Sequence, residues 1–125
     1  MTLSDARIAK YLNKNYYSIK FDAQHPDDIT IGGKTYKNPN YVESNTCKRN
    51  GTHELAYAVA TSQDGRLAFP TTVYFDENFN KLVAVPGFQK ALDLEKILTY
   101  YRGDYHFKLE WNQFQQNFDQ YQENL

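Results

Sequence analysis

Ala68-Phe69-Pro70-Thr71-Thr72-Val73-Tyr74-Phe75-Asp76 is the stretch on which the fold turns. Its aromatic and β-branched residues make it the strongest strand in the sequence. Pro70 has no N–H to give to a ladder, so it belongs at the first position of a strand or at a bulge. An X-Pro bond is trans by default and cis at modest cost, and a strand start accommodates either form. Glu77-Asn78-Phe79-Asn80 makes a short turn into Lys81–Val85, so an antiparallel pair is expected here, ended by Pro86-Gly87.

Downstream, Leu94, Ile97, Leu98 and Tyr101 follow i, i+3, i+4, i+7 spacing, and Gly103 is a natural C-cap. A last amphipathic segment carries Trp111, Phe114, Phe118 and Tyr121 on one face, opposite a face rich in Gln and Asn. Upstream, a helix is expected from Thr52, as N-cap, with Leu55, Ala56, Val59 and Ala60 inward and Asp64-Gly65 at its end. Asn38–Gly51 is polar and reads as a loop. Asp27–Lys37 reads as a hairpin, because two short alternating runs flank Gly32-Gly33. Tyr16–Phe21 reads as a strand, and Ser4–Lys14 as a helix with Ser4 as N-cap and Ile8, Tyr11 and Leu12 on one face. This order predicts an α/β sheet with helices on both faces and an antiparallel edge.

The chain has 125 residues, 41% hydrophobic and 23% charged, which is the balance of one globular domain rather than of a disordered segment. Its formal net charge of −1 lacks the basic footprint of a nucleic-acid binder. No apolar run approaches the length of a membrane span, and Met1-Thr2-Leu3-Ser4-Asp5 has neither the basic nor the apolar part of a secretory signal. One cysteine excludes an internal disulfide, a Cys-x-x-Cys pair and a cysteine-rich zinc site. No Ser/His/Asp order, paired-carboxylate motif or phosphate-binding glycine loop is present, and no cofactor is implied.

Three further features are candidate sites. Cys47 sits beside Lys48 and Arg49, cations that favour a thiolate, but it has no resolving partner; it is a candidate reactive thiol and more simply a surface one. His53, at a helix start, suits a structural role better than metal binding, since His25 and His106 lie far away in sequence. The Trp111, Phe114, Phe118, Tyr121 stripe suits packing on the chain's own sheet better than docking a partner.

Phe69-Pro70-Thr71-Thr72-Val73-Tyr74-Phe75-Asp76, the polar turn, Lys81–Val85, Gly87 and the following helix together resemble the second half of a thioredoxin-like domain. Leu3-Ser4-Asp5, Ile8-Ala9, Tyr11-Leu12-Asn13 and Tyr16–Asp22 are similar to the helix end and next strand of thioredoxin-related thiol–disulfide oxidoreductases of Bacteroidetes type. So are the inserted hairpin with Gly32-Gly33-Lys34-Thr35-Tyr36 and the later His53-Glu54-Leu55. The likeness covers nearly the whole chain, and more loosely its C-terminal helix.

The resemblance implies a single thioredoxin-like domain over residues 1–125, a mixed sheet with flanking helices, an inserted β-hairpin and a C-terminal helix. It implies a cis bond before Pro70, and substrate binding by Phe69, Pro70 and Thr71 through pairing with an extended segment of a protein or peptide thiol or disulfide. It also implies a periplasmic or exported setting. In such proteins a strand and a helix opening with Cys-x-x-Cys precede the part matching Leu3-Ser4-Asp5. Neither is in this sequence, so the domain is expected to be incomplete at its N-terminus, to have no catalytic residue and to be redox-inactive as it stands. A non-catalytic binding module of the same fold is the alternative.

In the family pattern that the resemblance implies, the missing strand lies between the strands matching Tyr16–Phe21 and Thr71–Phe75. Each backbone group left buried and unpaired costs about 1–3 kcal/mol. The two strands are therefore expected to pair directly or to leave an expanded, marginal fold, or else to accept a strand from a second chain in a swapped dimer.

Overall fold

The structure, a computed structural model, describes residues 2–43 and 50–123. In chain order its elements are α1 (Ala6–Asn15), β1 (Ile29–Ile31), β2 (Lys34–Tyr36), α2 (Glu54–Ala60), β3 (Thr71–Phe75), β4 (Lys81–Pro86), α3 (Ala91–Arg102) and α4 (Trp111–Gln116). Short 3-10 turns stand at Thr2–Ser4, Tyr105–Phe107 and Phe118–Gln120. The described residues form two compact units. One combines the chain up to Ile19 with the chain from Gln89 onward; the other is Lys20–Phe88.

The first unit is helical. Asp5, not Ser4, caps α1: its carboxylate accepts from the N–H groups of Arg7 (3.0 Å) and Ile8 (3.2 Å), while Ser4 lies in the preceding 3-10 turn. Asp wins because an ionised carboxylate also meets the positive end of the helix dipole. Ile8 and Tyr11 are buried on the face predicted for them, and α1 packs on α3. On α3 the buried residues are Leu94, Glu95, Leu98, Thr99 and Tyr100, a wider arc than the apolar spacing indicates. Gly103 does cap α3, with its N–H on the Thr99 carbonyl. The left-handed turn that follows falls on Asp104 (φ 58°), and glycine is needed at 103 because a Cβ there would strike the Tyr105 ring.

The C-terminal stripe forms α4 and then a 3-10 turn rather than one continuous helix. Phe114 and Phe118 are buried with Tyr100, and Trp111, Tyr105, Leu109 and Tyr121 pack around them. The Phe114 ring lies 4.9 Å from Tyr100 and 5.0 Å from Tyr121. Packing on the chain's own sheet was the expectation; the support found for the stripe lies within its own helical unit, from α3 and its own neighbours.

The second unit holds both β-hairpins. β1 and β2 pair antiparallel as predicted, with Ile29 opposite Tyr36 and Ile31 opposite Lys34. Gly32 (φ 59°) and Gly33 (φ 79°) supply the two positive φ values that a type I′ turn demands. β3 and β4 also pair antiparallel, from Thr71 opposite Pro86 to Phe75 opposite Lys81, with Leu82 as the extra residue of a bulge. The Asp76 carboxylate closes their connection by accepting from the N–H groups of Asn78 (2.8 Å) and Asn80 (2.9 Å). These bonds hold Asp76 below the ordinary carboxylate range. α2 packs on this hairpin, and Leu55, Ala56, Tyr74 and His53 are all buried in this unit.

Two expectations are corrected. Tyr16–Phe21 forms no strand, and Tyr17 and Ile19 are almost fully exposed. Strand propensity has no effect without a ladder to join. Because these residues face solvent, the desolvation cost that called for direct pairing with β3, or for a swapped strand, does not arise at this segment. Among the described residues the sheets are two separate two-stranded hairpins, not one mixed sheet.

Candidate functional site

β3 begins at Thr71, so Pro70 stands just before the strand, where its missing N–H costs no ladder bond. The Phe69–Pro70 bond is cis. The Pro70 carbonyl accepts from the Gly87 N–H at 2.7 Å, which extends the β3–β4 pairing by one step. Gly87 has φ 89°, a conformation that favours glycine. The Thr71 hydroxyl donates to the Ala68 carbonyl at 2.5 Å and so ties the turn into the strand.

The Pro70–Gly87 bond sets the phase of the whole hairpin. In an antiparallel pair, residues alternate between facing the partner strand and facing away. Thr72 and Tyr74 therefore direct their N–H and C=O groups at β4, and Thr71 and Val73 direct theirs at the opposite edge, which pairs with no other strand among the described residues. Pro86 falls opposite Thr71, at a position whose N–H would not be used by β3. A proline there costs no bond between the strands.

One step beyond the Pro70–Gly87 pair stand Phe69 and Phe88, 60% and 70% exposed. Phe69, Pro70 and Thr71 are thus brought together at one end of the hairpin, with an exposed ring past the end of each strand and, alongside, a strand edge that has no strand partner among the described residues. Such a corner offers apolar contact plus main-chain hydrogen bonds, the two components of binding to an extended peptide. Phe88 was not identified from the sequence, because its place next to Gly87, the partner of Pro70, depends on the register. The signal that could have found it is its position just past the Pro86-Gly87 strand end.

Cys47 lies outside the described residues. His53 is placed as a structural group. Its Nδ1 accepts from the Leu55 N–H (3.0 Å), making it, rather than Thr52, the N-cap of α2. Its Nε2 lies 2.9 Å from the Asp27 carbonyl oxygen. Since Nδ1 must accept, Nε2 is the ring nitrogen that carries the proton and donates to Asp27. Both nitrogens are then occupied, and neither is free for a metal or a substrate. His25, distant in sequence, is brought to 6.1 Å ring to ring, and the edge of Phe21 closes the cluster at 5.6 Å. Among the described residues no three His, Cys, Asp or Glu side chains are placed to hold a metal ion. His106 lies in the other unit, its ring 5.0 Å from Tyr101 and 4.0 Å from Phe107.

No helix among the described residues is long and apolar enough to cross a membrane. Compared with known proteins, the chain matches no family model, no curated protein and no solved structure.

Proposed function

We propose that this chain is a thioredoxin-like domain related to thiol–disulfide oxidoreductases, and that it binds an extended protein or peptide segment at Phe69, Pro70 and Thr71 without turning it over. The observation that carries the reading is the exposed Phe69–Pro70–Thr71 corner, bonded to Gly87 and flanked by the edge of β3 that has no strand partner among the described residues. The order of strand, antiparallel partner, glycine and helix around that corner supports the family assignment. With one cysteine in the chain, a mixed disulfide has no internal thiol to resolve it.

Two measurements test the proposal. Dithiothreitol-driven reduction of insulin is expected to run at the uncatalysed rate, with Cys47→Ser indistinguishable from the parent. In a backbone NMR titration with a cysteine-free extended peptide, shifts are expected to gather on residues 69–75 and 86–88. Acceleration that depended on Cys47 would overturn the redox-inactive part, and shifts confined to other residues would overturn the site.

A further inference from the structure

The sequence contains a single Asn-Gly pair, Asn50-Gly51, and the fold holds both members in place for separate reasons. Asn50 is a clasp across the loop. Its Oδ1 accepts from the Val42 N–H at 2.9 Å and its Nδ2 donates to the Val42 carbonyl at 2.9 Å, so the side-chain amide pairs with Val42 as a strand would. Its own N–H donates to Gln24 Oε1 at 3.1 Å.

Gly51 is required by close approach. A Cβ on it would stand 2.5 Å from the Asn40 carbonyl carbon and 2.6 Å from Asn38 Oδ1. Asn38 is itself buried, with its Nδ2 donating to the carbonyls of His25 (3.1 Å) and Gly51 (2.7 Å). No other residue fits at 51, and a shorter or longer side chain at 50 would not span Val42. The fold therefore requires a dipeptide that is chemically reactive.

The geometry points to Asn50 as a site of spontaneous deamidation that opens this clasp. The Gly51 N–H lies 2.9 Å from Asn50 Oδ1, so the nucleophilic nitrogen is already beside the amide it would attack. The Val42 N–H, which still donates to Oδ1 once Gly51 has lost its proton, draws electron density from Cγ and makes it more electrophilic. In the reaction the Gly51 nitrogen loses its proton to solvent base and forms a bond to Asn50 Cγ. The tetrahedral adduct then expels the side-chain nitrogen as ammonia, leaving a five-membered succinimide. Water adds to either ring carbonyl and gives isoaspartate or aspartate at 50. The net change is one water consumed and one ammonia released, with no oxidant or reductant.

The product differs from Asn50 where it matters. A carboxylate has only acceptors, so the donor that met the Val42 carbonyl is lost and two oxygens face one another. The isoaspartate form also adds a backbone carbon between residues 50 and 51, next to the crowded Gly51. Either product releases Val42.

The intact protein, incubated at pH 7.4 and at pH 9, tests this by peptide mass spectrometry, enzymatic isoaspartate labelling and hydrogen exchange. The peptide containing residues 50 and 51 is expected to gain about 1 Da, faster at pH 9, with isoaspartate as a product and the other asparagines unchanged. The Val42 amide is expected to lose its protection in the modified fraction alone. Asn50→Gln, whose longer side chain closes the ring far more slowly, is expected to stay unmodified. Absence of the mass gain at residue 50 under conditions where an unfolded peptide of the same sequence deamidates would overturn the proposal. So would an isoaspartate at 50 that left Val42 protected.

Discussion

Arg7 and Glu95 are joined by two parallel hydrogen bonds, Nε to Oε1 at 2.8 Å and Nη2 to Oε2 at 2.9 Å, although 88 positions separate them. Glu95 is only 3% exposed and accepts a third bond, from Gln122 Nε2 at 3.1 Å. The same Arg7 Nη2 donates to the Glu123 carbonyl at 2.6 Å. One guanidinium thus binds α1 to the middle of α3 and to the end of the chain, and its bond to Glu95 raises its own pKa.

Removing the arginine leaves a buried carboxylate with Gln122 as its one side-chain partner among the described residues. Arg7→Met is expected to lower stability by about 2–3 kcal/mol, below the full cost of orphaning a buried charge because the arginine is itself partly exposed. Urea denaturation measures the loss. The double variant Arg7→Met with Glu95→Met is expected to recover part of it, since no charge is then left buried.

His53→Ala is expected to be more damaging than the loss of a surface polar residue at a helix start. It removes an N-cap, leaves the Asp27 carbonyl without its donor and empties a fully buried site. The expected loss is about 3 kcal/mol, read from the urea midpoint. His53→Asn keeps a capping acceptor and is expected to lose less.

Burial raises the Tyr11 phenol above its ordinary value of 10.0. The hydroxyl lies close to that of Thr99, and among the described residues neither makes a hydrogen bond of good geometry. Above about pH 10 the unfolded chain ionises this tyrosine while the folded chain keeps it neutral, so stability falls as pH rises through the folded value. Its contribution is fully present below pH 10. Tyr11→Phe is expected to flatten this alkaline fall in a series of denaturation curves, leaving the contributions of Tyr100 and Tyr101, also raised by burial.

Phe79, in the turn between β3 and β4, has φ 62° and is 82% exposed. A left-handed backbone disfavours a bulky side chain, and so little packing is at stake that Phe79→Asn is expected to gain about 0.5–1 kcal/mol. Thermal unfolding reads the gain as a higher Tm.

What was legible in the sequence was what short range decides. Gly32-Gly33 fixes its hairpin by its own backbone freedom, and Glu77–Asn80 closes β3 onto β4 within four residues. Tyr16–Phe21 misled because β-branched and aromatic content reports willingness to pair, not the presence of a partner. Glu95 was hidden for a related reason: it reads as a surface charge until Arg7 arrives from the far end of the chain. At the candidate site, Phe69, Pro70 and Thr71 stood out through the proline. Phe88 and the outward edge of Thr71 and Val73 emerge only from the register that the Pro70–Gly87 bond sets.

The most direct test of the peptide-docking account is the affinity of a fluorescent, cysteine-free extended peptide for the parent chain and for Phe69→Ser. The parent should bind, and the variant, with its fold verified by circular dichroism, should bind about tenfold more weakly, since an exposed ring at a docking corner contributes on the order of 1.4 kcal/mol. Equal affinity of the two proteins, or no binding by the parent at any accessible concentration, would contradict it.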